Sequence, residues 1–137
     1  MRLRVIQTMN TLRWTAVLLT LATAVIHLYY GYAIAGDFGT TYGLPYTDWY
    51  YLMGVIYLVA VAALVSGFMP KMFEALTLLY ALILIGIFFA IAVPQGFADN
   101  IGYVAKAIEV ILILNLAVLL MRPKTAEKTG EPAPPKA

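Results

Sequence analysis

The sequence predicts an all-α protein: a four-transmembrane-helix bundle with both termini cytoplasmic. Three observations predict it. Four apolar stretches fill most of the 137 residues. Hydrophobic residues make up 63% of the chain and charged residues 12%, roughly half the charge of a soluble domain. The basic residues fall in alternate connecting segments, as they do in cytoplasmic loops. Each stretch is apolar all round rather than alternating. A segment in lipid has to satisfy its own backbone, so these read as helices and not as barrel strands.

The first stretch runs from about Arg13 to Ala35, long enough for a hydrocarbon core that needs about 20 helical residues. Asn10 or Thr11 is a candidate cap for its start. Arg2, Arg4 and Ala22-Thr23-Ala24 imitate a signal peptide with its cleavage site. The apolar run continues past Ala24 to full membrane length, so it reads as a span. The second stretch covers about 49–69, with Thr47 and Asp48 as its start signal and Gly67 and Pro70 as its stop. Pro70 suits the first turn of the next helix. The third covers about 72–93 and ends at Pro94-Gln95-Gly96. The fourth covers about 101–121, opened by Asp99-Asn100 and closed by Arg122-Pro123. Residues 1–123 therefore form one membrane domain. The remainder, 124–137, is KTAEKTGEPAPPKA, too poor in apolar residues to pack, and is expected to be a disordered cytoplasmic tail.

Orientation follows from Arg2, Arg4 and Arg13 before the first stretch, Lys71 between the second and third, and Arg122, Lys124, Lys128 and Lys136 after the fourth. The other two loops hold Asp37, Asp48 and Asp99 and no Lys or Arg. The expected location is thus the cell membrane, multi-pass, with termini inside. Tyr29, Tyr30, Tyr32, Tyr42, Tyr46, Trp49, Tyr50, Tyr51 and Tyr103 gather at the outer side, where an aromatic belt is expected. The outer loop GDFGTTYGLPYTD suits a small lid or a partner surface.

Composition also excludes some functions. A net charge of +2, dispersed along the chain, argues against nucleic-acid binding. With no cysteine there are no disulfides, thiolate metal sites or thiol catalysis.

Ionisable residues inside apolar stretches are costly and rarely idle. His27, Lys106 and Glu109 stand out. His27 and Glu109 each lie about eight residues from the outer end of their helix, roughly 12 Å deep. Lys106 is one turn shallower, and Tyr57 is eight residues into the second stretch. These four form an expected polar cluster in the outer half of the bundle. Thr20, Thr23, His27 and Gly31 share one helix face, and small or polar residues favour close helix contact, so that face is expected to meet protein. Asn115 reads as an interhelical hydrogen bond. Lys106 and Glu109, at i and i+3, are expected to pair, with outward snorkelling of Lys106 as the alternative. His27 is expected to hydrogen-bond Glu109 or Tyr57.

Such a cluster joins helices, or it serves as a proton- or ligand-binding site reached from outside. A haem or metal reading has one histidine to work with, plus Met53 as a distant axial partner, and no metal or cofactor is expected. No Ser or Cys stands in a recognisable motif with His27, so no catalytic residue is assigned and no enzyme is expected.

The segment LRWTAVLLTLATAVIHLYYG, ending in I-H-L-Y-Y-G, resembles the first helix of a group of small uncharacterised four-helix membrane proteins of prokaryotes. The fourth stretch, IGYVAKAIEVILILNLAVLL, is similar to theirs in its Gly-Tyr followed by Lys and a carboxylate or Gln. The residues concerned are His27, Gly31, Gly102, Tyr103, Lys106 and Glu109. The middle two stretches match by hydropathy. The resemblance implies a four-helix bundle and no particular activity. Small multidrug transporters have similar length but use a carboxylate in the first helix, which this chain lacks. Small subunits of membrane quinone-linked oxidoreductases match in size without a shared motif. The expectation is a non-enzymatic membrane subunit or scaffold in the lipid bilayer, as a homo-oligomer or part of a larger membrane complex. The alternative is a proton-linked small-solute transporter acting as a homo-oligomer.

Overall fold

The computed structural model describes residues 2–41, 43–96 and 98–122, with the backbone alone at 2–9, 37, 38 and 41. The expected tail, 124–137, lies outside the described residues, as does Tyr42. Four helices dominate: α1 (Arg2–Ala33), α2 (Tyr46–Ser66), α3 (Pro70–Ile87) and α4 (Asn100–Met121). All four are long and apolar enough to cross a membrane, α1 from Asn10 onward.

Helix α1 starts well before the expected cap. Arg2–Gln7 are helical, so Asn10 and Thr11 lie inside the helix and cap nothing. The chain has no glycine before Gly31 and no proline before Pro45, so nothing interrupts the helix earlier. A 3₁₀ turn, Ala35–Phe38, and a two-residue antiparallel ribbon follow, with β1 (Thr40–Thr41) paired to β2 (Leu44–Pro45). This ribbon is the only strand structure among the described residues.

Helix α2 starts at Tyr46 with Pro45 as N-cap, so neither Thr47 nor Asp48 caps it. Asp48 instead lies in the first turn, where a negative charge suits the helix dipole. The reversal into α3 uses left-handed backbone at Gly67 (φ 69°) and Met69 (φ 44°), and Pro70 opens α3. Left-handed backbone costs little at glycine and more at methionine. Helix α3 continues into a π-helical turn, Phe88–Ala92, closed by Val93 N–H donating to the Phe88 carbonyl at 3.0 Å. Asp99 caps α4, its Oδ1 accepting from Gly102 N–H at 2.8 Å. Extended backbone at Arg122 ends the helix, as the residue before a proline favours.

Helix α1 packs mainly against α2 and α4, and α3 against α4. The contact of α2 with α3 is the thinnest of the four. Close approach of α1 and α2 depends on glycine. A Cβ at Gly54 would lie 2.7 Å from Leu28 side-chain atoms and 3.2 Å from the Ala24 carbonyl. One at Gly31 would lie 3.2 Å from the Thr47 carbonyl and the Tyr50 Cβ. The core is a narrow column of Ala16, Ala24, Tyr57, Leu84, Leu112, Leu116 and Leu119. Large apolar side chains such as Leu18, Val59, Leu79, Phe89 and Leu114 point outward instead.

Candidate functional site: a cavity above a Lys–Glu–His cluster

Antiparallel helices bring residue 27 of α1 level with residue 109 of α4. His27, Tyr57, Lys106 and Glu109 are all buried and meet in one layer. Lys106 Nζ donates to both carboxylate oxygens of Glu109, at 3.0 and 2.9 Å. Lys106 therefore turns inward and does not snorkel. Its ammonium also sits 5.4 Å from the Phe88 ring centroid, in cation–π range.

His27 departs from the bond expected of it. Its Nδ1 donates to the Thr23 carbonyl at 2.8 Å, one turn back on its own helix. A carbonyl can only accept, so the proton is on Nδ1 and Nε2 is left facing Glu109 Oε1 at 3.7 Å. That spacing is an ion-pair distance and too long for a hydrogen bond. The His27 ring lies 5.5 Å from that of Tyr57. The Tyr57 hydroxyl, fully enclosed near Glu109, makes no hydrogen bond of acceptable geometry. Tyr80, on α3, packs edge-on to Tyr57 at 4.7 Å and donates to the Met53 carbonyl at 3.0 Å. It joins α2 to α3 below the cavity.

The helix-packing residues are placed as follows. Thr20, Thr23 and Gly31 are buried on the inner face of α1. The two hydroxyls bond back to the Ala16 and Leu19 carbonyls rather than across to another helix. Their contribution is small size, not cross-linking. Asn115 Oδ1 is enclosed without a hydrogen-bond partner, so that atom does not make the expected interhelical bond.

Beyond this layer, toward the helix ends joined by the α1–α2 and α3–α4 connections, the four helices line a cavity of about 260 Å³. Its walls come from Ile26, His27 and Tyr30 of α1, Trp49, Tyr50 and Met53 of α2, Leu84 and Phe88 of α3 and its π-helical turn, and Ala105 and Lys106 of α4. It extends to Tyr46, Ala92 and Gly102 near the helix ends. There the Tyr46 hydroxyl donates to Gln95 Oε1 at 3.0 Å, and Tyr30 donates to Asp99 Oδ2 at 3.2 Å. The thin α2–α3 contact and the wider π-helical turn leave this space; π-turns inside helices frequently mark functional sites.

Two features are missing from the sequence-based reading. The aromatics at this end of the bundle divide between two roles: Tyr29, Tyr32, Tyr51 and Tyr103 face outward, while Tyr30, Tyr46, Trp49 and Tyr50 line the cavity. The second is Glu74, fully buried on α3 near the opposite end of the bundle. Arg13 approaches it at 3.7 Å and Lys71 at 4.0 Å, and Lys71 Nζ also donates to the Leu119 carbonyl. The signal for Glu74 was present, since a carboxylate two residues inside the third apolar stretch carries the same cost as Glu109. Among the described residues, no group of three or more His, Cys, Asp or Glu side chains is arranged to hold a metal ion.

No protein-family model matches the chain, and comparisons with curated proteins and with solved structures find no similar one. The functional reading rests on the geometry.

Proposed function

We propose that this chain is a multi-pass membrane protein, termini on the cytoplasmic side, with a non-enzymatic role. It acts as a membrane subunit that holds a small lipophilic molecule between its helices, alone as a homo-oligomer or within a larger membrane complex. The membrane part is supported by four apolar helices whose outward faces carry exposed large apolar side chains along the candidate spans. A soluble protein rarely exposes apolar surface so extensively. The orientation is supported by the distribution of Lys and Arg among the loops.

The observation that carries the binding role is the cavity. An apolar, aromatic-lined space with a few convergent polar groups is the usual form of a small-molecule site. Helix glue alone would leave no reason for a space of about 260 Å³ beside His27 and Lys106. Packing normally closes such space, since each unfilled volume forfeits dispersion contacts.

The test is native mass spectrometry of the full chain released from membranes in mild detergent. Wild type should retain a small lipophilic molecule. Ala105→Trp fills the cavity from the α4 wall and should fold but release that molecule. Absence of any bound small molecule from wild type would refute the binding role.

A further inference from the structure

We infer that the cavity takes a small lipophilic carboxylate, whose anionic end engages Lys106 and whose arrival transfers one solvent proton to Glu109. This rests on the small-molecule reading above and specifies the ligand class.

The cavity is electrostatically one-sided. Lys106 and His27 lie on its wall, and among the described residues lining it there is no Asp or Glu. Glu109 sits behind Lys106, with no exposure of its own. The remaining walls are apolar or aromatic, which suits a hydrocarbon body and not a second charge.

A carboxylate entering this space competes with Glu109 for one ammonium. Lys106 now directs two contacts to Glu109, and redirecting it toward the cavity removes the one cation that, among the described residues, is bonded to that carboxylate. A buried carboxylate stripped of its cation is expensive to keep ionised. Protonating it resolves the conflict, and the structure holds an acceptor for the new O–H. Backbone bonding to Thr23 fixes His27 with its free lone pair on Nε2, which faces Glu109 Oε1 at 3.7 Å. A modest closure turns this spacing into a hydrogen bond from the protonated carboxyl to the imidazole. The groups facing Glu109 are His27 from α1, Tyr57 from α2, Tyr80 from α3 and Lys106 from α4. The two tyrosines are neutral hydroxyls and supply no replacement cation. The balance is one carboxylate anion and one solvent proton in, with no covalent bond other than O–H formed. The bound state carries the charge of Lys106 against the ligand and leaves Glu109 neutral.

The experiment uses the full chain in detergent micelles, with decanoate as probe and decanol as its uncharged counterpart. Trp49 on the cavity wall reports binding by fluorescence in a Trp14→Phe background, Trp14 being exposed on the outside of α1. Proton uptake is read with an indicator dye in weak buffer, against micelles without protein. Decanoate should bind about tenfold or more tightly than decanol, the usual gain for a hydrogen bond to a charged group. About one proton should be taken up per bound decanoate, as the one-site balance requires. Glu109→Gln removes the competitor for Lys106, so it should bind decanoate more tightly than wild type and take up less than one proton per bound decanoate. Lys106→Gln should bind both probes equally. Equal affinity for the two probes in wild type, or undiminished uptake in Glu109→Gln, overturns the carboxylate inference while leaving small-molecule binding in place. Failure of both probes to bind removes the small-molecule reading with it.

Discussion

Lys106 and Glu109 form a two-point ion pair in the buried polar layer, and the energetics of a buried pair are asymmetric. Two charges taken out of water gain little net stability, but removing one partner leaves the other enclosed and uncompensated. Lys106→Met should therefore lower stability by about 3–5 kcal/mol, the cost of leaving one charge of a buried pair uncompensated. Adding Glu109→Met should restore most of that loss, because both buried charges are then gone. Thermal unfolding in detergent checks this, and a double variant as unstable as the sum of its parts would contradict it. His27 belongs to the same layer through a longer contact, and its orientation is set by its own helix at Thr23. Which ring nitrogen faces Glu109 was not readable from residue spacing. Spacing put His27 and Glu109 at one depth, but the choice between Thr23, Tyr57 and Glu109 as partner depends on ring rotation.

At the scale of elements, glycine sets the close approach of α1 to α2, while the thin α2–α3 contact and the π-turn leave the cavity. Gly54 lets α1 approach α2 until Leu28 fills the place where a side chain would start. Gly54→Val should force the pair apart and cost about 1–3 kcal/mol, as overpacking of a tight contact does. It should also change the environment of Trp49, one turn or more above it on α2. An unchanged melting temperature together with unchanged Trp49 fluorescence would show that α1 and α2 are not held this closely. Glycine in the I-H-L-Y-Y-G segment drew attention to Gly31, yet Gly54 carries the shorter contacts. The sequence around Gly54 is apolar on both sides, so nothing local marks which face is crowded. The π-turn at Phe88–Ala92 was equally hidden. Its residues, FFAIA, are ordinary in an apolar helix, and one extra residue in a turn leaves no compositional trace.

For the whole molecule, the testable quantity is topology. A reporter fused after Ala137 should read cytoplasmic, and one inserted at Gly39 should read external. The opposite result at both sites would invert the orientation and place the cavity mouth on the cytoplasmic side. Number and class of helices were legible in the chain because a long apolar run has few ways to satisfy its backbone, and helix is the local one. The end of α2, the start of α3 and both ends of α4 were legible for the same local reason: Gly67, Pro70, Asp99 and Arg122-Pro123 act on their own turns, whereas the start of α2 at Tyr46 precedes the expected Thr47 and Asp48. The start of α1 was not, because Asn10 and Thr11 can cap a helix but cannot stop one that has already begun. Depth also came from sequence alone, since helical rise is fixed, and it put His27, Tyr57, Lys106 and Glu109 at comparable levels. Only the tertiary structure decided that they meet. Facing depends on how each helix is rotated, and these helices are apolar on every side, so no local pattern selects the inward face. Packing made that choice through glycine contacts and buried charge, and in doing so it turned half of an apparent aromatic belt inward to line a cavity.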